Sequence, residues 1–194
     1  MKKLLLISIT LYISVLNFKA QTVITSADMP LPDKMQIKAK DTLTAVSVGN
    51  ADTAQVWDFT SVAEHTRDTS LVMLYADLPN SLFSSANMVI RQGSSSFYGY
   101  LINSPSNFTL IGGSGIVDIQ GSPTSINQTS NPAEIIFNFP TAYDSSYTNN
   151  FSTDAKFYFG QVVSGFTIDS LHRRSAIEKT VHVDAWGSLT TPMG

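Results

Sequence analysis

Apolar and polar residues alternate along most of this chain. Met35, Ile37 and Ala39 interleave with Gln36, Lys38 and Lys40. Comparable short runs recur at 43–48, 56–59, 71–75, 88–91, 97–102, 108–111, 116–119, 135–139, 156–163, 166–171 and 180–185. A period of two puts successive side chains on opposite faces of a strand, and β-branched and aromatic residues are enriched in these runs. Turn formers separate them: Gly49-Asn50, Pro79-Asn80, Gly112-Gly113-Ser114-Gly115, Gly121-Ser122-Pro123, Asn131-Pro132 and Asn149-Asn150. Gly supplies positive φ, Pro fixes φ, and Asn or Ser bonds its own backbone. No long stretch keeps the i, i+3, i+4, i+7 spacing of an amphipathic helix; residues 79–86 predict one helical turn at most. The pattern predicts an all-β domain, an antiparallel β-sandwich with a jelly roll as its nearest architecture, because parallel sheets need crossover helices. No internal repeat points to a propeller or solenoid.

The first 20 residues follow a different rule. Lys2 and Lys3 precede a run of 13 uncharged, mostly apolar residues, 4–16, and Ala20 ends the segment before Gln21. The run is shorter than the ~20 residues a membrane span needs and matches a secretory signal peptide, with cleavage expected between Ala20 and Gln21. The expected organisation is a signal peptide over 1–20 and one β-sandwich domain over 21–194. Pro192-Met193-Gly194 is turn chemistry after a strand, so the fold is expected to continue beyond the final residue.

Cleavage changes the charge balance. The segment carries three Lys and no acids, leaving 9 Lys+Arg against 15 Asp+Glu, a net charge of −6. An exported acidic chain is a poor partner for nucleic acid, and no second apolar run of spanning length follows. The expected partner is an extracellular ligand, a glycan or a protein. From Gln92 to Ala133 the chain holds a single charge, Asp118, and 22 of these 42 residues are Ser, Thr, Asn or Gly. That composition allows hairpins with a neutral, hydroxyl-rich face, and ordinary sheet and loops are the plainer reading.

Catalytic chemistry leaves little trace. The chain has no cysteine, which excludes a thiol nucleophile and Cys-ligated zinc. It has no G-x-S-x-G elbow, no H-E-x-x-H, no calcium loop and no Walker loop, so no catalytic, cofactor or metal residue is assigned. His182 and Asp184 lie two apart in an expected strand and share a face, as an oriented base would need, but an exposed polar face explains them better. Tyr98 and Tyr100 share a strand face and are the candidate ligand-stacking residues, with core packing as the plainer reading. Phe157 and Phe159 form a similar pair, still better explained as core.

Several segments together resemble a known group. Asp28-Met29-Pro30, Val56-Trp57-Asp58-Phe59-Thr60-Ser61, Phe137-Asn138-Phe139-Pro140 with Tyr143, and the closing Val183-Asp184-Ala185-Trp186-Gly187-Ser188-Leu189-Thr190-Thr191-Pro192 occur in an order similar to the N-terminal β-domain of Bacteroidetes-type proteins exported by type IX secretion. Such proteins carry a C-terminal sorting domain, which these 194 residues do not include, and Ala185 stands where the group commonly has Gly. Asp41-Thr42-Leu43, Asp52-Thr53-Ala54 and Asp169-Ser170-Leu171 resemble the O-glycosylation pattern of such bacteria. The resemblance implies a secreted or cell-surface location and no catalytic residue. The expected function is a binding or spacer module, with a carbohydrate-active or other hydrolytic accessory domain as the alternative.

Overall fold

The computed structural model describes residues 22–45, 47, 49–119, 121–163 and 165–191. The signal segment with Ala20 and Gln21, and Pro192-Met193-Gly194, lie outside the described residues. Ten strands follow in order: β1 (Lys34–Lys40), β2 (Ala54–Asp58), β3 (Thr66–Leu74), β4 (Met88–Gln92), β5 (Ser96–Asn103), β6 (Asn107–Ile119), β7 (Ser122–Asn138), β8 (Ser146–Val163), β9 (Phe166–His182) and β10 (Trp186–Thr190). The fold is all-β and mainly antiparallel. An eight-stranded sheet runs in the order β1-β3-β4-β5-β6-β7-β8-β9, with a small second sheet of β10 and β2. The arrangement is sandwich-like, but the large sheet is a meander, each strand beside its neighbour in sequence once β2 is set aside. A jelly roll would cross between sheets instead. No helix among the described residues is long and apolar enough to cross a membrane.

Several turn signals lie inside long strands. Gly112-Gly113-Ser114-Gly115, expected as a hairpin, is the middle of β6. A Cβ on Gly112 would lie 2.4 Å from the Phe83 ring and one on Gly113 2.3 Å from the Phe97 ring. These glycines therefore admit close packing of aromatic rings and do not turn the chain. Asn131-Pro132 sits in a bulge of β7: the β6 register steps from Gly112↔Thr129 to Leu110↔Glu134. Proline has no N–H for the ladder, and a bulge accommodates it. Asn149-Asn150 lies within β8, where the Asn149 side chain accepts a hydrogen bond from Ile135 N at 2.8 Å.

Two further expectations are corrected. Residues 43–48 make no strand where they are described, because Asp41 Oδ1 accepts from the backbone of Leu43 at 2.8 Å and Thr44 at 2.9 Å, an Asx-type bend; Val46 and Val48 lie outside the described residues. Residues 186–190, expected as a lead into a turn, form β10. It pairs in parallel with β2, setting Leu189 opposite Trp57. Gly187 permits that approach, since a Cβ there would meet Gln55 O at 1.8 Å. The chain thus makes its one parallel pair, among the described residues, between segments far apart in sequence and without a crossover helix.

The core lies on both faces of the sheet's first half. On one face Met29, Val72, Met88, Leu101, Phe108 and Phe139 cluster, with the N-terminal segment laid over them and bridged at Ile24↔Thr141. On the other, Phe83, Ala86, Val89 and Tyr100 cluster beneath the segment joining β3 to β4. That segment holds two 3₁₀ turns, Tyr75–Asp77 and Ser81–Phe83. Asn80 caps the second by accepting from Leu82 N at 3.0 Å and donates to Ser114 Oγ at 2.9 Å, which ties the segment to β6.

Phe83 is 2% exposed and stacks on Tyr100 with ring centroids 4.5 Å apart. Phe83→Ala is expected to lower the unfolding free energy by about 3–5 kcal/mol, read as a shift of the denaturant midpoint at unchanged slope. A midpoint like the parent's would show that this segment does not anchor the fold.

Candidate functional site

Direct cross-strand partners share a sheet face, so the pairing registers define transverse rows. Ile90, Gly99, Gly113, Gln128, Ala155 and Arg173 form one such row from β4 to β9. Beside it runs Phe97, Gly115, Ile126, Phe157 and Leu171. The first row is small at Gly99, Gly113 and Ala155. The second carries bulk. The result is a trough running across the strands on the face that the N-terminal segment covers only at its other end.

Two hollows make up this trough. One, of about 760 Å³, lies over β7, β8 and β9 and is lined by Gln128, Thr153, Ala155, Phe157, Arg173 and Ser175, among others. The other, of about 450 Å³, lies over β4 to β7, with Gln92, Phe97, Gly99, Gly113 and Gln128 in its lining. Gln128 is common to both. The Phe97 ring lies down on Gly113, diagonal to it across the β5–β6 pair, and supplies an aromatic floor. A third hollow, of about 310 Å³, adjoins at Gln92 and holds Lys38, Lys40 and Asp68.

The charges in the trough are distributed unevenly. Lys179 donates to Glu134 Oε1 at 3.0 Å and to Ile135 O at 2.9 Å, so that pair is neutral as a unit. Lys40 pairs with Asp68. Arg174, on the opposite face, donates to Asp154 Oδ2 at 2.8 Å and holds that carboxyl below its usual range. Arg173 makes no ion pair among the described residues. The middle strands come from the nearly uncharged stretch 92–133, which forms β5, β6 and most of β7.

The sequence-level candidates fall elsewhere. Tyr100 is 2% exposed, held between Phe83 and Tyr75, so it belongs to the core and offers no ligand face. Tyr98 packs against the same cluster. Both lie on the face opposite the trough, because Tyr98 and Phe97 are adjacent in one strand. Phe157 lines the trough, while the side chain of Phe159 lies outside the described residues. His182 ends β9 and meets Asp144, Nε2 to Oδ1 3.3 Å, and not Asp184. Asp184 lies beyond the strand, where its carbonyl accepts from Asp52 N at 2.6 Å. Arg173, Gln128 and Phe97 carried no motif; only the pairing registers bring them together.

The other two histidines also stand beside aspartates. His172 Nδ1 is 3.5 Å from Asp154 Oδ1, and His65 Nδ1 is 2.9 Å from Asp41 Oδ1. Asp41 joins the two ends of the 41–65 connection: it accepts from Leu43 and Thr44 at one end and from Ala63 N at 3.1 Å at the other. The quoted motif segments are likewise packing devices. Met29 meets Phe139 in the core, Trp57 and Trp186 stand on the paired β2 and β10, and Tyr143 packs on Trp186 at 4.2 Å. Among the described residues no group of three or more His, Asp or Glu side chains is placed to hold a metal ion. No protein-family model matches this chain, and no curated protein or solved structure matches it either.

Hydrogen bonds from Thr44, Leu43 and Ala63 hold the Asp41 carboxyl far below its usual range, with the Thr44 hydroxyl the largest cause. A depressed folded-state pKa stabilises above the unfolded value, about 4, and that stability is lost as pH falls through the folded value. Asp41→Asn should therefore melt at a lower temperature than the parent at neutral pH. The gap should narrow as the pH is lowered well below about 4. A gap that stays constant with pH would remove Asp41 from this role.

Proposed function

We propose that this chain is an exported domain, acting outside the cell or at its surface, whose work is to bind an extracellular ligand in the transverse trough. The observation that carries the reading is the trough itself: two adjoining hollows that share Gln128 and together cross six strands, lined by amides, hydroxyls, aromatic rings and, at the β9 end, charged side chains. Binding sites are concave and combine apolar surface with a few convergent polar groups; the smaller hollow is mainly apolar and the larger is half polar. The N-terminal segment supports the export half of the reading, because its basic start, apolar run and Ala20 follow the order of a signal peptide, although Phe18 stands where a small residue is usual. The proposal assigns binding to this face and no reaction, since Glu134 on the wall is already neutralised by Lys179.

The test uses the secreted protein. Its intact mass should correspond to a chain beginning at Gln21. On a panel of immobilised polysaccharides and peptides it should bind at least one in a saturable manner. Ser175→Trp, which places an indole in the larger hollow from the edge strand, should abolish that binding with the melting temperature kept. Binding that survives Ser175→Trp would move the site off the trough, and a full-length chain retained in the membrane would end the export reading.

A further inference from the structure

We infer that the ligand of the trough is a carboxylate-bearing polysaccharide, a polymer of uronic-acid type, with Arg173 receiving the carboxylate. The inference rests on the trough being the binding site and adds the class of ligand.

The direction of the trough bears on the ligand first. It crosses β5 to β9; over β5 to β8 the backbone N–H and C=O groups of its floor are engaged in the ladders on either side, and the free edge of β9 runs perpendicular to the trough. A peptide lying along the trough would cross that edge at a right angle and could not run beside it to pair its own main chain, the usual source of affinity for an extended peptide. A ligand must be held by side chains alone. Sugars suit that limit: their ring faces are apolar and their hydroxyls bond to amides and alcohols.

The trough supplies both. Phe97 rests on Gly113 with its ring laid along the sheet, and Phe157 stands in the same transverse row three strands away, about 14 Å at the usual strand spacing. That separation gives two apolar platforms for rings several units apart in one chain. Between and beside them lie Gln92 and Gln128, Thr153 and Ser175. Amides and hydroxyls both donate and accept, which a sugar hydroxyl requires.

Charge then selects among polysaccharides. Arg173 ends the row Gln128–Ala155–Arg173, and among the described residues it has no carboxylate partner. Glu178, the acidic residue on the rim, is five residues along the same strand, about 17 Å away. Glu134 is neutralised by Lys179. Arg173 and Glu178 are therefore the two charges of the larger hollow without an ion pair among the described residues, at opposite ends of it, and the guanidinium alone sets the charge beside Gln128 and Ala155. Its planar fork matches a carboxylate in two-point contact.

The test compares polygalacturonate, alginate, methyl-esterified polygalacturonate and poly-glutamate against the secreted protein, its Arg173→Ala and Arg173→Lys variants, and Ser175→Trp. The expected result is binding to at least one of the two uronate polymers and clearly weaker binding to the ester. Arg173→Ala should lose about tenfold or more in affinity, as expected for a charge-assisted pair. Arg173→Lys should recover part of that loss, and the melting temperature should not change, since the side chain is exposed. Equal binding of acid and ester, or an Arg173→Ala variant that binds like the parent, would overturn the inference and leave the trough reading standing. Stronger binding of poly-glutamate would replace it with an acidic peptide. Binding to neither uronate polymer would also overturn it. Uronate binding that persists in Ser175→Trp would overturn both.

Discussion

Two consecutive glycines in the middle of β6 let an aromatic ring settle directly onto each face of the sheet. Gly112 receives Phe83 on one side and Gly113 receives Phe97 on the other. Any side chain at either position would collide with a ring or with the neighbouring backbone. The first contact closes a core, because Phe83 carries the segment between β3 and β4 down onto Val89 and Tyr100. The second contact builds a surface, because Phe97 lies flat where a larger β6 residue would have lifted it. Glycine in a strand weakens it through chain entropy and lost packing. Here the burial of Phe83 and the long ladders of β5, β6 and β7 offset that loss.

The position of this glycine pair explains why the sheet has a covered and an open half. The N-terminal segment and the β3–β4 segment cover opposite faces around β3, β4, β5 and the near end of β6. The β8–β9 hairpin extends away from that double core. Its strands have 18 and 17 residues, and Tyr158, Phe166 and Leu171 remain exposed on it. An outer strand with free backbone groups invites edge pairing, and charges along it oppose that. β9 places Arg173, Arg174, Glu178 and Lys179 in its second half, while β1 at the other edge carries Lys34, Lys38 and Lys40. Both outermost strands thus carry charges, and the strands between 92 and 133 are nearly free of them.

The strand class of this fold was legible because period-two alternation survives wherever one face is packed and the other is wet. Runs such as 35–40, 88–91 and 97–102 fall within β1, β4 and β5 for that reason. What could not be read was how far strands continue through turn-forming residues. Gly112-Gly113, Asn131-Pro132 and Asn149-Asn150 have the local chemistry of turns, and tertiary partners decide otherwise: rings above the glycines, a bulge at the proline, a backbone N–H for Asn149. The opposite error at 43–48 has the same origin, because one carboxylate, Asp41, bends an alternating run. The trough was illegible in a deeper sense. Its row is assembled from six strands, one residue from each, and only the register between strands makes neighbours of Gln128, Ala155 and Arg173. Tyr98 and Tyr100 were visible because they share a strand, and visibility within one strand favoured a pair whose better use is to hold the core.

Charge placement also separates stability from recognition. The middle of the trough is built from neutral residues, so no ion had to be desolvated to form it and no fixed charge there would repel a ligand of either sign. In the proposed binding role, selectivity for charge falls to the strand at the end, where Arg173 stands exposed on β9. Replacing Phe97 or Gly113 would disturb the sheet and the platform together, since each occupies space the other requires. Arg173 is exposed, so replacing it leaves the packing of the sheet in place. In that proposed role the preferred ligand would change with substitutions on one edge strand, while the glycine pair and the rings resting on it keep the fold unchanged.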